Sequence, residues 1–165
     1  MTNLRTVMEE HSEHLIQLAF FYTKSFHAAE DIVQDVFIKY HHTPYEERGQ
    51  LRAYLRKLTV NRSKDYLKSW NYRKLQFIDA WSSLTKKNRD AVIVFEERSE
   101  IGAAILTLPV HYREIILLYY FEEMNTKEIA VLLEESDSTI RTRLRRAREQ
   151  LKPLLQKEWE VLNYE

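Results

Sequence analysis

The sequence predicts an all-α protein made of two small helical domains joined by a flexible linker. Only two glycines and three prolines occur among 165 residues, which leaves little material for the tight turns of a β-sheet. Apolar residues instead recur at spacings of three and four along most of the chain. With 44% hydrophobic residues, the chain has enough apolar surface for packed cores.

Three helices are predicted in a first domain, residues 1–74. The first lies in "EHLIQLAFFYT" and the second in "HAAEDIVQDVFIKYHH". The segment "TPYEERGQ" then breaks the pattern with Pro44 and Gly49, and a long third helix follows in "LRAYLRKLTVNRSKDYLKSW". The periodicity becomes irregular after this helix, with "SSLTKKN" the most loop-like segment. Residues 75–95 are therefore predicted to form the linker.

The second domain, residues 96–165, contains the most specific local signals. Pro109 is suited to the first turn of a helix in "PVHYREIILLYYF". Asn125 stands three residues before Glu128, which is the spacing of a capping box, and Ser136 is placed as the N-cap of a further helix. Two capped helices separated by about three residues predict a helix-turn-helix.

The second helix of this pair carries five arginines in "STIRTRLRRAR". Its predicted buried stripe is Ile140, Leu144, Ala147, Leu151 and Leu154. Its predicted DNA-facing residues are Ser138, Thr139, Arg141, Thr142, Arg145 and Arg146. The arginine run alone is equally typical of a solvated face, but at the amino end of a recognition helix arginines neutralise phosphates and can read guanines.

The zero net charge of the chain conceals strongly segregated blocks. Residues 48–74 contain nine basic residues and one acidic residue, and residues 138–165 contain seven basic and four acidic residues. The blocks 1–47 and 75–137 are acidic, with net charges of -5 and -6. Two basic blocks in this arrangement predict two surfaces that face polyanions.

Several classes of protein are excluded by residues that the sequence lacks. Without cysteine there is neither a disulfide framework nor a thiol nucleophile, and no glycine-rich phosphate loop is present. The pairs His11/His14 and His41/His42 lack a third metal ligand. We therefore expect no enzymatic activity, metal, cofactor or small-molecule substrate.

Targeting signals are also lacking. The amino terminus has no apolar signal-peptide core, and the longest apolar run, "IILLYYF", is too short to cross a bilayer. We expect a cytoplasmic protein without membrane insertion.

The segment "LPVHYREIILLYYFEEMNTKEIAVLLEESDSTIRTRLRRAREQL" resembles region 4 of the extracytoplasmic function (ECF) sigma factors, the small two-domain group of the bacterial sigma-70 family. "AEDIVQDVFIKYHH" followed by "LRAYLRKLTVNRSKDYLKS" resembles region 2 of the same family. The resemblance implies a factor that binds core RNA polymerase, through its beta and beta-prime subunits, and directs it to promoter DNA. It also implies an anti-sigma partner.

The resemblance assigns each predicted surface a partner. The polar face of the second helix, which in the family docks on the beta-prime clamp helices, consists of Asp31, Gln34 and Asp35. The third helix mixes basic and aromatic residues, as in proteins that bind single-stranded DNA. The residues assigned there to the -10 element are Arg52, Tyr54, Arg56, Asn61, Arg62 and Asp65. Region 4 would contact the -35 element.

The turn of the helix-turn-helix departs from the family pattern. Glu134 and Glu135 occupy positions where glycine and an apolar residue are usual. A non-glycine residue in a left-handed turn costs about 1 kcal/mol. We expect a slightly altered turn.

Two other functions are compatible with parts of the sequence. A stand-alone helix-turn-helix repressor would need a dimer interface but not the "AEDIVQDVF" surface. A helical adaptor that binds only proteins would leave both basic blocks solvated. Promoter-specific transcription by core polymerase separates these alternatives from a sigma factor.

Overall fold

The computed structural model of the chain describes residues 3–45, 49–69 and 100–155. These residues form two compact units, one before and one after the undescribed stretch 70–99. The described residues contain helices and no strand, so the all-α prediction is confirmed. The predicted linker, residues 75–95, lies outside the described residues.

The amino-terminal unit contains three helices that all pack on one another: α1 (Leu4–Thr23), α2 (Phe26–His42) and α3 (Leu51–Lys68). Helix α1 begins earlier than the sequence pattern predicts, because Asn3 caps it by accepting a hydrogen bond from the Arg5 amide at 3.2 Å. Ser25 caps α2 by accepting from the Ala28 amide. Only two residues therefore separate α1 from α2.

The core of this unit consists of large apolar side chains from all three helices. Leu15, Ile32 and Leu55 are almost fully buried, and so is Tyr22. The predicted inward face of α2 is confirmed, since Ile32, Val33, Val36 and Phe37 are all buried. The opposite face of α2 is therefore free to carry polar residues.

The carboxy-terminal unit begins with two short helices, α4 (Glu100–Thr107) and α5 (Val110–Ile116), and Pro109 is the N-cap residue of α5. A π-helical turn, Leu117–Phe121, follows directly. The helix-turn-helix then consists of α6 (Thr126–Leu133) and α7 (Asp137–Leu151).

The buried stripe of α7 is confirmed for four of its five predicted residues, Ile140, Leu144, Ala147 and Leu151. The prediction for Leu154 is wrong, because this side chain is 52% exposed. The α-helix ends at Leu151 and a 3-10 turn that contains Pro153 takes over, which rotates Leu154 away from the helical stripe. Leu155 is the residue that is buried instead.

The turn between α6 and α7 keeps a regular geometry despite its two glutamates. Glu134 adopts the left-handed conformation, with φ 56° and ψ 44°. Its amide donates to the Val131 carbonyl at 3.4 Å, and the Glu135 amide donates to the Ala130 carbonyl at 3.0 Å. This is the hydrogen-bond pattern of a Schellman motif, so the expected alteration is limited to a long first hydrogen bond.

Candidate functional site

The helix-turn-helix is fixed locally by the caps that the sequence predicts. The Glu128 amide donates to Asn125 Oδ1 at 2.8 Å, and the Asn125 amide donates to Glu128 Oε1 at 3.1 Å. These two bonds complete the predicted capping box. Ser136 caps α7 by accepting from the Thr139 amide at 3.1 Å. The amino end of α7 is thereby well defined.

Helix α7 presents a polar face to solvent. All six predicted DNA-facing residues are exposed or half-buried: Ser138, Thr139, Arg141, Thr142, Arg145 and Arg146. The geometry is that required of a recognition helix, whose amino-terminal side chains must reach base edges while the opposite stripe stays in the core.

The five arginines of α7 divide into distinct environments. Arg141 Nε donates to Asp137 Oδ2 at 2.8 Å, one turn away on the same helix. Arg143 Nη2 lies 3.2 Å from Glu135 Oε1, across the turn. Both guanidinium groups therefore already interact with a carboxylate of the same unit.

Arg148 has a structural environment. Its Nε donates to the Tyr120 hydroxyl at 2.7 Å, and its guanidinium lies 5.3 Å from the ring centre of Tyr119. This cation–π contact and hydrogen bond join α7 to the π-helical turn. Arg148 thus serves to hold the helix in place.

Arg145 and Arg146 are exposed, and neither forms an ion pair or side-chain hydrogen bond with the described residues. The two residues occupy consecutive positions of the surface that the sequence predicts to face DNA. They are the cations of the run that can neutralise phosphates without first breaking a contact within the described part of the protein.

Asp137 links the two helices of the helix-turn-helix electrostatically. The Thr126 hydroxyl at the start of α6, followed by the Arg141 guanidinium, lowers the pKa of the Asp137 carboxyl below its ordinary value. Asp137 Oδ1 is buried and accepts no hydrogen bond from the described residues. The carboxylate is therefore ionised at neutral pH.

The basic helix α3 forms one wall of a small cleft. The cleft has a volume of about 90 Å³ and lies between α2 and α3. Its lining residues are Asp35, Val36, Lys39, Leu58, Asn61, Arg62 and Asp65. The structure thus brings together Asn61, Arg62 and Asp65 from the predicted -10 set. Asn61 is exposed and makes no side-chain hydrogen bond with the described residues.

The other residues predicted for the -10 element lie further toward the amino end of α3. Arg52 is exposed, and Arg56 is half-buried. Tyr54 is half-buried and stacks on Tyr45, with ring centres 4.6 Å apart and planes at 20°. Tyr45 in turn contacts the Tyr40 ring. One face of Tyr54 is therefore occupied by the segment that follows α2.

The polar face of α2 carries the residues predicted to bind polymerase. Asp31, Gln34 and Asp35 are all exposed, and their spacing places them on one side of the helix. Ile38 continues this side and is 57% exposed, although it is a large apolar residue. Sequence reasoning missed Ile38, whose signal was its position seven residues after Asp31.

An ion pair joins the predicted polymerase-binding face of α2 to the predicted DNA-binding face of α3. Arg62 donates from Nε and Nη2 to Asp35 Oδ2 at 3.1 and 3.0 Å. Both side chains are about half exposed. A predicted polymerase-binding residue and a predicted DNA-binding residue are therefore partners in the free protein.

Within the described ranges, no cluster of three or more His, Asp or Glu side chains is arranged to hold a metal ion. None of the described helices is both long and apolar enough to cross a bilayer.

Two bacterial sigma factors are similar to this chain. It is 28% identical over 157 residues to the RNA polymerase sigma factor SigV of Bacillus subtilis (strain 168). The aligned residues cover 94% of this chain and 92% of that protein. The chain is 29% identical over 134 residues to the ECF RNA polymerase sigma factor SigM of the same strain, with coverages of 80% and 82%.

The fold is shared with a solved structure, the sigma factor RpoE of Bartonella quintana in complex with the anti-sigma factor NepR. The TM-score is 0.65 at 20% identity, over 93% of this chain and 97% of that one.

Two family models match in sequence order. The model for Sigma-70 region 2 matches residues 7–72, and the model for Sigma-70, region 4 matches residues 98–151. The chain belongs to the ECF group of the sigma-70 family. This sigma factor binds core RNA polymerase and directs promoter recognition and transcription initiation. Sigma factors are DNA-binding initiation factors, not enzymes. A stand-alone repressor or a protein-binding adaptor is not favoured, because neither would carry both regions.

Proposed function

We propose that this sigma factor divides promoter recognition between its two units. The carboxy-terminal unit binds the -35 element through α7, and the amino-terminal unit binds the -10 element through α3 while α2 docks on the polymerase. The observation that carries this proposal is the exposed polar face of α7, with its buried opposite stripe and its capped amino end. A helix with these properties has the form that enters the major groove.

At the -35 element, the residues of α7 have different tasks. Arg145 and Arg146 neutralise phosphates and so supply affinity that does not depend on sequence. Ser138, Thr142 and Arg141 lie toward the amino end, where side chains reach base edges. The half-buried Thr139 donates its amide to Ser136 and helps to fix this end of the helix.

At the -10 element, α3 holds the separated strand. Basic side chains of α3 follow the phosphates, and Asn61 contacts a base that has left the duplex, because its amide offers both a donor and an acceptor. Arg52, Arg56 and Arg62 belong to the phosphate-binding set, and Asp65 contributes an acceptor beside Asn61. Support comes from the cleft that Asn61, Arg62 and Asp65 line together.

The polymerase surface is the exposed side of α2 formed by Asp31, Gln34, Asp35 and Ile38. The three polar residues meet the beta-prime subunit, and Ile38 adds apolar contact area at the end of the same side. Other contacts of the sigma factor involve the beta subunit. An acidic surface of this kind suits a basic partner helix.

We further propose an anti-sigma partner and action in the cytoplasm. The Bartonella quintana relative was solved with an anti-sigma factor bound. The cytoplasm is where bacterial RNA polymerase and promoter DNA are found.

Transcription by purified core polymerase tests the proposal. Adding the chain should produce run-off transcripts that start at defined promoters, and core polymerase alone should not. Binding of the chain to DNA without any effect on initiation would contradict the proposal.

A further inference from the structure

The Arg141 guanidinium group is bound to Asp137 along one edge, and its other edge is open to solvent. Its Nε and Nη2 both donate to a single oxygen of Asp137, with the Nε contact at 2.8 Å. A guanidinium has five N–H donors in a rigid planar fork, so the edge formed by Nη1 and Nη2 keeps its outward donors. The Arg141 side chain is 67% exposed. The open edge is therefore accessible to a ligand.

Asp137 is itself fixed. Its side chain is only 24% exposed, and it stands in the first turn of α7, where the helix dipole favours a negative charge. The Thr126 hydroxyl from α6 acts on the same carboxylate and helps to lower its pKa. The carboxylate that orients Arg141 is therefore itself shielded from solvent at the start of α7.

The open edge matches one base in the major groove. Guanine presents two adjacent acceptors there, O6 and N7, and an arginine fork binds both at once. Adenine, thymine and cytosine each present at least one group that cannot accept from this edge. An arginine that is already oriented loses less side-chain freedom on binding, which favours the correctly placed guanine over other bases.

We propose that Asp137 is a positioning residue for promoter specificity, which orients Arg141 to read a single guanine of the -35 element. This inference rests on the proposed placement of α7 in the major groove. Beyond that placement, it assigns a role in base specificity to an acidic residue, which would not itself bind phosphates. Glu135 gives no such orientation to the base-reading end, because its partner Arg143 is only 28% exposed.

Asp137→Asn tests the proposal. Asparagine keeps the size of the side chain and one acceptor but removes the charge that holds the fork. We expect holoenzyme with this variant to lose about 10-fold in discrimination at one G·C pair of the -35 element, within the range of a bidentate arginine–guanine contact. Affinity for scrambled DNA should stay the same or rise, because a negative charge near the phosphates is removed.

The measurement is a competition binding series with holoenzyme on the preferred -35 duplex and on duplexes with each base pair replaced in turn. Glu135→Gln is the matched control, since it removes one carboxylate from the same unit and should leave discrimination unchanged. Arg141→Lys should lose discrimination at the same base pair as Asp137→Asn. Combining the two changes should cause no further loss, because both remove one oriented fork.

Three results would overturn the inference. Equal gains of Asp137→Asn on all sequences would mean that Asp137 only shields Arg141. Equal losses on all sequences, together with a lower melting temperature, would give it a purely structural role. If Asp137→Asn left base discrimination unchanged while Arg145→Ala/Arg146→Ala still weakened DNA binding, the role of Asp137 would be rejected but the proposed function of α7 would stand. If Arg145→Ala/Arg146→Ala also left DNA binding unchanged, the proposed function of α7 would fail as well.

Discussion

Arg145 and Arg146 are the exposed cations of α7 that lack a carboxylate or hydroxyl partner among the described residues. We expect Arg145→Ala and Arg146→Ala each to weaken DNA binding on all sequences alike, because phosphate contacts carry no base information. The slope of log affinity against log salt should flatten by about one for each arginine that contacts a phosphate. A titration of holoenzyme on specific and scrambled duplexes across a salt series measures both effects.

Arg143→Ala is the control for this experiment. Arg143 interacts with Glu135 and is less exposed, so its removal should change the salt slope less. A slope that responds equally to all three substitutions would show that exposure and pairing do not select the phosphate contacts.

Glu134 tests the energetics of a single backbone conformation. Its left-handed φ of 56° would be adopted without strain by glycine. We expect Glu134→Gly to raise the free energy of unfolding of the carboxy-terminal unit by about 1 kcal/mol. Native-state hydrogen exchange of the α7 amides reports on this unit directly.

Glu149→Gly is the matched control for the turn. Glu149 is exposed and lies in the last turn of α7 with an ordinary helical backbone, so glycine there should lower stability, by less than the roughly 1 kcal/mol that it costs in a helix interior. Loss of protection in both variants would mean that the Glu134 side chain contributes more than its backbone conformation costs.

At the level of elements, α2 displays its acidic residues on one side and buries the other. Asp31→Arg should weaken binding to core polymerase about 10-fold or more while leaving helicity unchanged, because it reverses an exposed charge at the proposed interface. Affinity for core enzyme and circular dichroism are measured together. Glu10→Arg makes the same charge change on an exposed position of α1 and should leave core affinity unaltered.

Asp35 requires a different experiment, because its ion pair with Arg62 joins α2 to α3. Asp35→Arg would place two guanidinium groups where the Asp35–Arg62 ion pair stands. The exchange Asp35→Arg/Arg62→Asp restores a pair of opposite orientation. If Asp35 contacts polymerase directly, core affinity should stay low in the exchanged variant. Full recovery would mean that the ion pair, and not the carboxylate itself, supports binding.

At the level of the whole molecule, closed and open promoter complexes make different demands. In the proposed division of labour, closed binding depends mainly on electrostatics and α7, whereas opening needs a site that holds an unstacked base. We expect Asn61→Ala to leave closed-complex affinity nearly unchanged and to lower open-complex formation, measured by permanganate footprinting. A template melted in advance at the -10 element should not restore base discrimination.

Lys57→Ala is the control for the Asn61→Ala experiment, because Lys57 is an exposed basic side chain one helical turn before Asn61. Its loss should act through charge and weaken binding more at low salt. Reduced thermal stability of free Asn61→Ala would instead assign Asn61 a packing role. Normal stability together with normal opening would reject its assignment to the -10 element.

The all-α class, the inward face of α2 and the caps Asn125 and Ser136 can all be predicted from the sequence alone. These features depend on residues within one or two helical turns of each other, so periodicity and capping chemistry suffice to predict them. The Asp137–Arg141 pair is equally local, because its partners are four positions apart in one helix, and this spacing alone indicates an ion pair.

The packing of the helices determines which charged groups are engaged with residues distant in the sequence. Arg62 finds Asp35 at a distance of 27 residues along the chain, and Arg148 finds Tyr120 at 28 residues. Such pairs depend on how helices pack, and packing is set by the shapes of buried apolar side chains rather than by the charged residues themselves. For this reason the sequence alone does not distinguish Arg148, which contacts Tyr120, from the exposed Arg145 and Arg146.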